Sequence, residues 1–266
     1  MANWLRRQHI TEPRILHLAA LVGALMHEPR REALAIANGA AQEMRRSLAL
    51  WQTLARSSRA QARRIADEVE APELPELAAW MDRSTRGILV TSIHGGEYLA
   101  GLLKLRHALR TPRDIYIVRK LAASETERAV FSHFSQRGND VIVVRHNERR
   151  SVGLVKALRR GHIVVALHDL PRSYGPTSDV PFLGQTMAMV KGPAELALLG
   201  NADIVNVHSF RSGRRRRLGC YSPVRPRDTI STCETLARLA TQHISRYPSQ
   251  WQHWIHVPEM WQSAHA

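Results

Sequence analysis

The residues that could do chemistry gather where a short apolar run ends. Ile88, Leu89 and Val90 read as a buried strand, His94 follows, and Gly95, Gly96 and Glu97 precede an apolar helix start at Tyr98. A histidine at the end of a strand, before a glycine turn and a helix, sits where open α/β sheets place their chemistry. The two glycines let backbone or substrate come close to the imidazole. Glu97, three residues on, can share the histidine's face if the helix has begun. The pattern fits a histidine base oriented by a carboxylate, ready to take a proton from a hydroxyl. It fits equally a histidine that merely caps a strand.

The elements around this stretch define what must hold it. After residue 87, strand and helix signals alternate. Strands are predicted over 88–92, 114–118, 140–144, 163–167 and 203–208. Helices are predicted over 98–109, 124–137, 152–159, 189–199 and 230–245, with a loop over 169–184. This spacing predicts an α/β fold, a mostly parallel sheet flanked by helices. Residues 31–70 are rich in Ala, Arg and Leu and predict helices, with Leu48, Leu50, Trp51 and Leu54 as an apolar stripe. Pro72 and Pro75 mark a boundary. The expected division is a helical N-terminal region over 1–80 and a second domain over 81–266.

Composition narrows the function. The chain has 266 residues, 44% of them hydrophobic, enough for a sizeable core. Its net charge of +15 implies an acidic partner: nucleic acid, an anionic membrane surface or an acidic protein. Cys220 and Cys233 lack metal spacing and suggest no disulfide framework. Residues 15–26 are apolar but shorter than the ~20 needed to span a bilayer, so a buried or interfacial helix is expected. No zinc spacing, aromatic RNA-recognition signature or glycine-rich phosphate loop supports nucleic-acid binding. No G-x-S-x-G elbow marks a serine hydrolase, and no H-E-x-x-H a metal site.

Five segments in order carry a resemblance. They are the strand ending in His94, Arg119 after IYIVR's strand, KALRRGHIVVALHD ending at Asp169, VPFLGQ with KGPAELALLGNADIV, and RYPSQWQHW at 246–254. The series resembles the lipid A biosynthesis acyltransferases of the lauroyl/myristoyl type, within the glycerolipid acyltransferase superfamily, over roughly residues 87–261. The resemblance implies transfer of a fatty acyl chain to a hydroxyl or amine of a lipid or lipid-like acceptor. It implies an acyl carrier protein or acyl-coenzyme A thioester as donor and no cofactor or metal. By position it implies His94 as base, Arg119 beside the acceptor's phosphate or glycan, and Asp169 at the family's DQD turn. Backbone N–H groups of Gly95 and Gly96 are expected to meet the oxyanion. The implied place is peripheral, on the cytoplasmic face of the inner membrane.

The departures bear on the site. The superfamily carries its acid five residues after the histidine, where this chain has Leu99, and Glu97 is displaced. Three arrangements are open: Glu97 reaches His94 through a tighter turn, Asp169 supplies the carboxylate, or the dyad is broken. The DQD turn is altered to Asp169-Leu170-Pro171, which suggests a different acceptor. His168 is expected to cap its strand. Arg145, His146, Arg149 and Arg150 suit a carrier protein, phosphates or plain solvent. Arg214–Arg217 suits a solvent-facing hairpin excursion or contact with anionic headgroups. Trp251, Trp254 and Trp261 suit a core or a lipid boundary. Phe182, Leu183, Met187 and Met189 suit a core or an acyl groove. The rival reading is a catalytically silent protein that keeps the fold and binds lipid or an acidic partner.

Overall fold

The computed structural model describes residues 12–136, 139–145 and 148–264. Four helices open the described chain: α1 (Glu12–Met26), α2 (Arg30–Arg56), α3 (Arg59–Asp67) and α4 (Leu74–Arg83), with a two-residue strand β1 (Val69–Glu70) between the last two. Strands and helices then alternate as expected: β2 (Ile88–Ser92), α5 (Tyr98–Ala108), β3 (Ile115–Arg119), α6 (Glu125–Ser132), β4 (Val141–Arg145), α7 (Glu148–Arg159) and β5 (Ile163–Leu167). The chain continues through β6 (Thr177–Phe182), β7 (Gln185–Val190), α8 (Gly192–Leu199), β8 (Asp203–Ser212), β9 (Arg215–Cys220), α9 (Thr229–Arg246) and α10 (Val257–Ala264).

Seven strands form one sheet in the order β1-β9-β8-β2-β5-β3-β4. The run from β8 to β4 is parallel, and β9 turns back antiparallel on β8. Every residue of the central strand β2 is buried, because helices cover both faces and leave no polar side for alternation to mark. The sequence signals for the α/β sheet therefore hold.

Two segments differ from expectation. Residues expected as a loop, and the start of the expected helix at 189, form the antiparallel hairpin β6–β7. Its apolar inner face packs Val180, Phe182, Met187 and Met189 against Leu18 and Val22 of α1, Ala37 of α2 and Ala237 of α9. The helix then starts after Val190, with a proline in its first turn, where the missing N–H costs nothing. The strand expected to end at 208 runs on to Ser212, Gly213 and Arg214 make the turn of the β8–β9 hairpin, and Arg215–Arg217 open β9.

The N-terminal helices belong to the same cores as the sheet. Leu50, Trp51 and Leu54 of α2 share a buried cluster with Ile88, Tyr98, Ile117 and Val165. Helix α1 buries Leu18, Ala19, Val22 and Leu25, while Leu16 stays exposed. Among the described residues no helix is long and apolar enough to cross a membrane.

Candidate active site

The C-terminal end of β2 delivers His94 to the sheet's carboxyl edge, and its turn is held from a distance. Gly96 takes φ +54°, and a Cβ there would lie 2.5 Å from the Ser209 carbonyl oxygen, so only glycine fits. The C-terminal segment 250–252 binds the turn by main chain. Gly96 N–H donates to the Gln250 carbonyl (2.9 Å) and Gln252 N–H donates to the His94 carbonyl (2.8 Å). The Gln252 side-chain amide donates to the Gly96 carbonyl (2.8 Å). Gly95 N–H donates to the Ile93 carbonyl (2.9 Å). The Gly95 and Gly96 amides, expected at an oxyanion, are both engaged in holding the turn.

Asp169, 75 residues from His94 in sequence, follows β5 and is fully buried. Its Oδ1 lies 2.8 Å from His94 Nδ1, and its Oδ2 accepts the His94 backbone N–H at 2.8 Å. The Trp251 indole N–H donates to the same Oδ2 at 2.8 Å. The Asp169 backbone carbonyl accepts from His253 Nδ1 at 2.9 Å. Burial pushes the Asp169 carboxyl up, but the charge and hydrogen bonds of His94, with His253, outweigh it and hold the group well below the usual carboxylate range. An ionised Asp169 fixes His94 with its proton on Nδ1 and a lone pair on Nε2. The His253 ring stacks on His94, centroids 3.7 Å apart and planes 16° from parallel, and Tyr98 meets His94 edge-on at 5.5 Å.

The geometry therefore pairs His94 with Asp169 and not with Glu97. The Gly96 turn swings Glu97 to the far side, where Arg211 Nη1 donates to Glu97 Oε2 at 2.8 Å. Arg216 donates to both carboxylate oxygens at 2.9 and 3.0 Å. Burial raises the Glu97 carboxyl, and the bonds from Arg216 and Arg211 bring it below its ordinary value. Glu97 thus fastens the β8–β9 hairpin to the start of α5. The arginine run at that hairpin is partnered as well, Arg215 and Arg217 with Glu70 and Arg216 also with Glu68.

His94 opens on a pocket of about 330 Å³ lined by Trp51, Tyr98, Arg119, Tyr174, Leu196 and His253, among others. A smaller cavity of about 40 Å³ adjoins it and ends against Leu102, Phe131 and Phe134. Arg119, at the end of β3, lines both. Its guanidinium is ion-paired to Glu127, whose other oxygen closes the capping box of α6 with Ser124, and its buried Nε has no partner. His94 and Arg119 are thus brought to one cleft, with Asp169 buried behind the histidine. Phe182, Leu183, Met187 and Met189 lie in the core under the hairpin and do not line it.

His94, Asp169 and His253 place ligand-type atoms within 4.8 Å of one another. The Asp169 oxygens already take donors from His94 and Trp251, and two stacked imidazoles set their lone pairs side by side rather than converging. The trio is built for hydrogen bonding, not for gripping a cation. His168 points away from the pocket and is buried near His208 and His243. Trp251 and Trp254 are buried, and Trp261 packs against the same core. The cluster at Arg145, His146, Arg149 and Arg150 lies outside the residues whose side chains are described.

Sequence reasoning missed the roles of Trp251 and His253. Both sit in the RYPSQWQHW segment, and only their return beside Asp169 reveals them. The family model for bacterial lipid A biosynthesis acyltransferases matches residues 23–258. No individually curated protein matches the chain.

Proposed function

The chain belongs to the bacterial lipid A biosynthesis acyltransferase family, and from that premise we propose that it moves a fatty acyl chain from a carrier-protein or coenzyme A thioester to a hydroxyl or amine of a lipid acceptor. One observation carries the reading: an imidazole held by a buried carboxylate through Nδ1, with Nε2 free of hydrogen bonds among the described residues, at the wall of a largely apolar pocket.

His94 Nε2 takes the proton from the acceptor O–H as the oxygen attacks the thioester carbonyl carbon. Asp169 stabilises the imidazolium that forms, without itself taking the proton. The tetrahedral oxyanion collapses, the C–S bond breaks, and the imidazolium returns the proton to the departing sulfur as free thiol. With the Gly95 and Gly96 amides engaged, Arg119 and Lys120 are the cations that line the pocket, and we assign Arg119, the one that lines both cavities, to the oxyanion and the acceptor's negative charge. The acyl chain runs toward the apolar cavity that ends at Phe131 and Phe134.

Attachment to the inner membrane's cytoplasmic face, at its surface, is part of this reading. It is supported by the charge of +15 and by Leu121 and Leu199, which line the pocket mouth yet are 64% and 58% exposed.

The test is release of free thiol from carrier-protein and coenzyme A donors with membrane-lipid extract as acceptor. Turnover by the wild type that is lost in His94→Ala supports the reading. A wild type that consumes no donor but binds anionic vesicles supports the silent, lipid-binding alternative.

A further inference from the structure

The His94–His253 stack has a property that a single base lacks. Both rings turn Nδ1 toward Asp169, His94 to its carboxylate at 2.8 Å and His253 to its backbone carbonyl at 2.9 Å. Both acceptors are oxygens, so both rings carry their proton on Nδ1. In an imidazole the other nitrogen points nearly the opposite way. Both residues line the pocket, and neither Nε2 takes a hydrogen bond among the described residues. The rings are near-parallel, with centroids 3.7 Å apart, so the two lone pairs stand side by side at about the stacking distance.

We propose that His94 and His253 form a paired acceptor site that selects a substrate with two neighbouring hydrogen-bond donors: a vicinal diol or a vicinal amino alcohol. One donor group gives its proton to His94 Nε2 and becomes the nucleophile. The other, on the adjacent carbon, donates to His253 Nε2 and keeps its proton. The heteroatoms of a gauche vicinal pair are slightly closer than the ring spacing, so each meets one nitrogen in line. An acceptor with a single hydroxyl leaves the His253 lone pair without a donor from the substrate, and a site built to receive a donor discriminates against a substrate that lacks it.

This inference rests on the acyl-transfer reading above, and the experiment separates the two. Thiol release is measured with four long-chain acceptors in mixed micelles: a mono-alcohol, the vicinal diol, the vicinal amino alcohol, and the diol with its second hydroxyl methylated. The wild type is expected to favour the diol and amino alcohol over the mono-alcohol and the methyl ether by roughly tenfold in kcat/KM. In His253→Phe, which keeps a ring on His94 but has no lone pair, that ratio falls toward one. In His253→Gln, whose amide oxygen can reach the place of Nε2, the ratio recovers. Equal use of all four acceptors by the wild type, or a ratio unchanged in His253→Phe, overturns the proposal.

If no acceptor supports thiol release, the acyl-transfer reading fails, and the imidazole C–H resonances of the unreacted protein decide the binding claim. The diol should shift both His94 and His253 signals, and the mono-alcohol only one. Identical shifts with the two ligands overturn it.

Discussion

Two groups of histidines lie on either side of residues 168 and 169, and adjacent residues feed them. On one side His94 and His253 meet the buried carboxylate of Asp169 at the wall of a pocket. On the other, His168, His208 and His243 sit between the sheet and α9, with ring centroids 6.2 and 4.7 Å apart in succession. Among the described residues no carboxylate hydrogen-bonds to any of these three. Burial pushes His168 and His243 down to about 4, and His208 well below its ordinary value. His94 thus combines a hydrogen-bonded carboxylate with a cavity, whereas burial holds its neighbour His253 and the three rear histidines neutral.

The sharpest way to break this comparison is to exchange effects between the groups. His94→Ala should lower kcat/KM for acyl transfer by roughly 10³-fold, and Asp169→Asn by at least 10²-fold. His168→Phe should change it by less than about threefold. A loss in His168→Phe equal to that in His94→Ala, in a protein of unchanged melting temperature, would place chemistry on the wrong side.

The second test is acid. His168 and His243 have folded values below the unfolded value of 6.5, so between about 6.5 and 4 the unfolded chain binds protons that the folded chain refuses. Their contribution is complete above pH 6.5 and is lost as the pH falls toward 4, on the order of 3 kcal/mol for each at full titration. Urea denaturation at neutral pH and near pH 4.5 should show the drop, and His243→Phe should reduce it. A stability curve flat across this window would show that the rear group is not held neutral.

Smaller effects sharpen the pocket side. Glu97→Gln should cost roughly 2 kcal/mol in stability, less than for a fully buried pair because Arg211 and Arg216 are partly exposed. Its kcat should stay within about threefold of wild type, whereas a fall comparable to that of Asp169→Asn would return Glu97 to the base. Trp251→Phe removes one donor from Asp169 and should lower kcat/KM by roughly tenfold with KM little changed.

These expectations also mark what the chain discloses on its own. The strand–helix alternation was legible because β2 and β5 are apolar runs closed by glycine or charge, and His94 because it stands where β2 gives way to glycine. Its partner was not settled. Nearness in sequence favoured Glu97, but one positive-φ glycine turns that carboxylate toward two arginines, and the partner comes from the next strand over in the sheet. The β6–β7 hairpin read as a loop because Pro181 and Gly184 break its pattern, although the register across them is continuous. Trp251 and His253 could be placed only by the fold, since nothing in a local window says where the C-terminal segment returns.

That return gives the site an order in time. His94 and Asp169 leave the ribosome early, but the main-chain bonds from Gln250 and Gln252, the Trp251 donor and the His253 ring come from a stretch made more than 80 residues after Asp169. Contacts this distant in sequence form late. The sheet can be assembled while the base is still unset. In a nascent chain His94 therefore lacks its final setting until synthesis has passed residue 253.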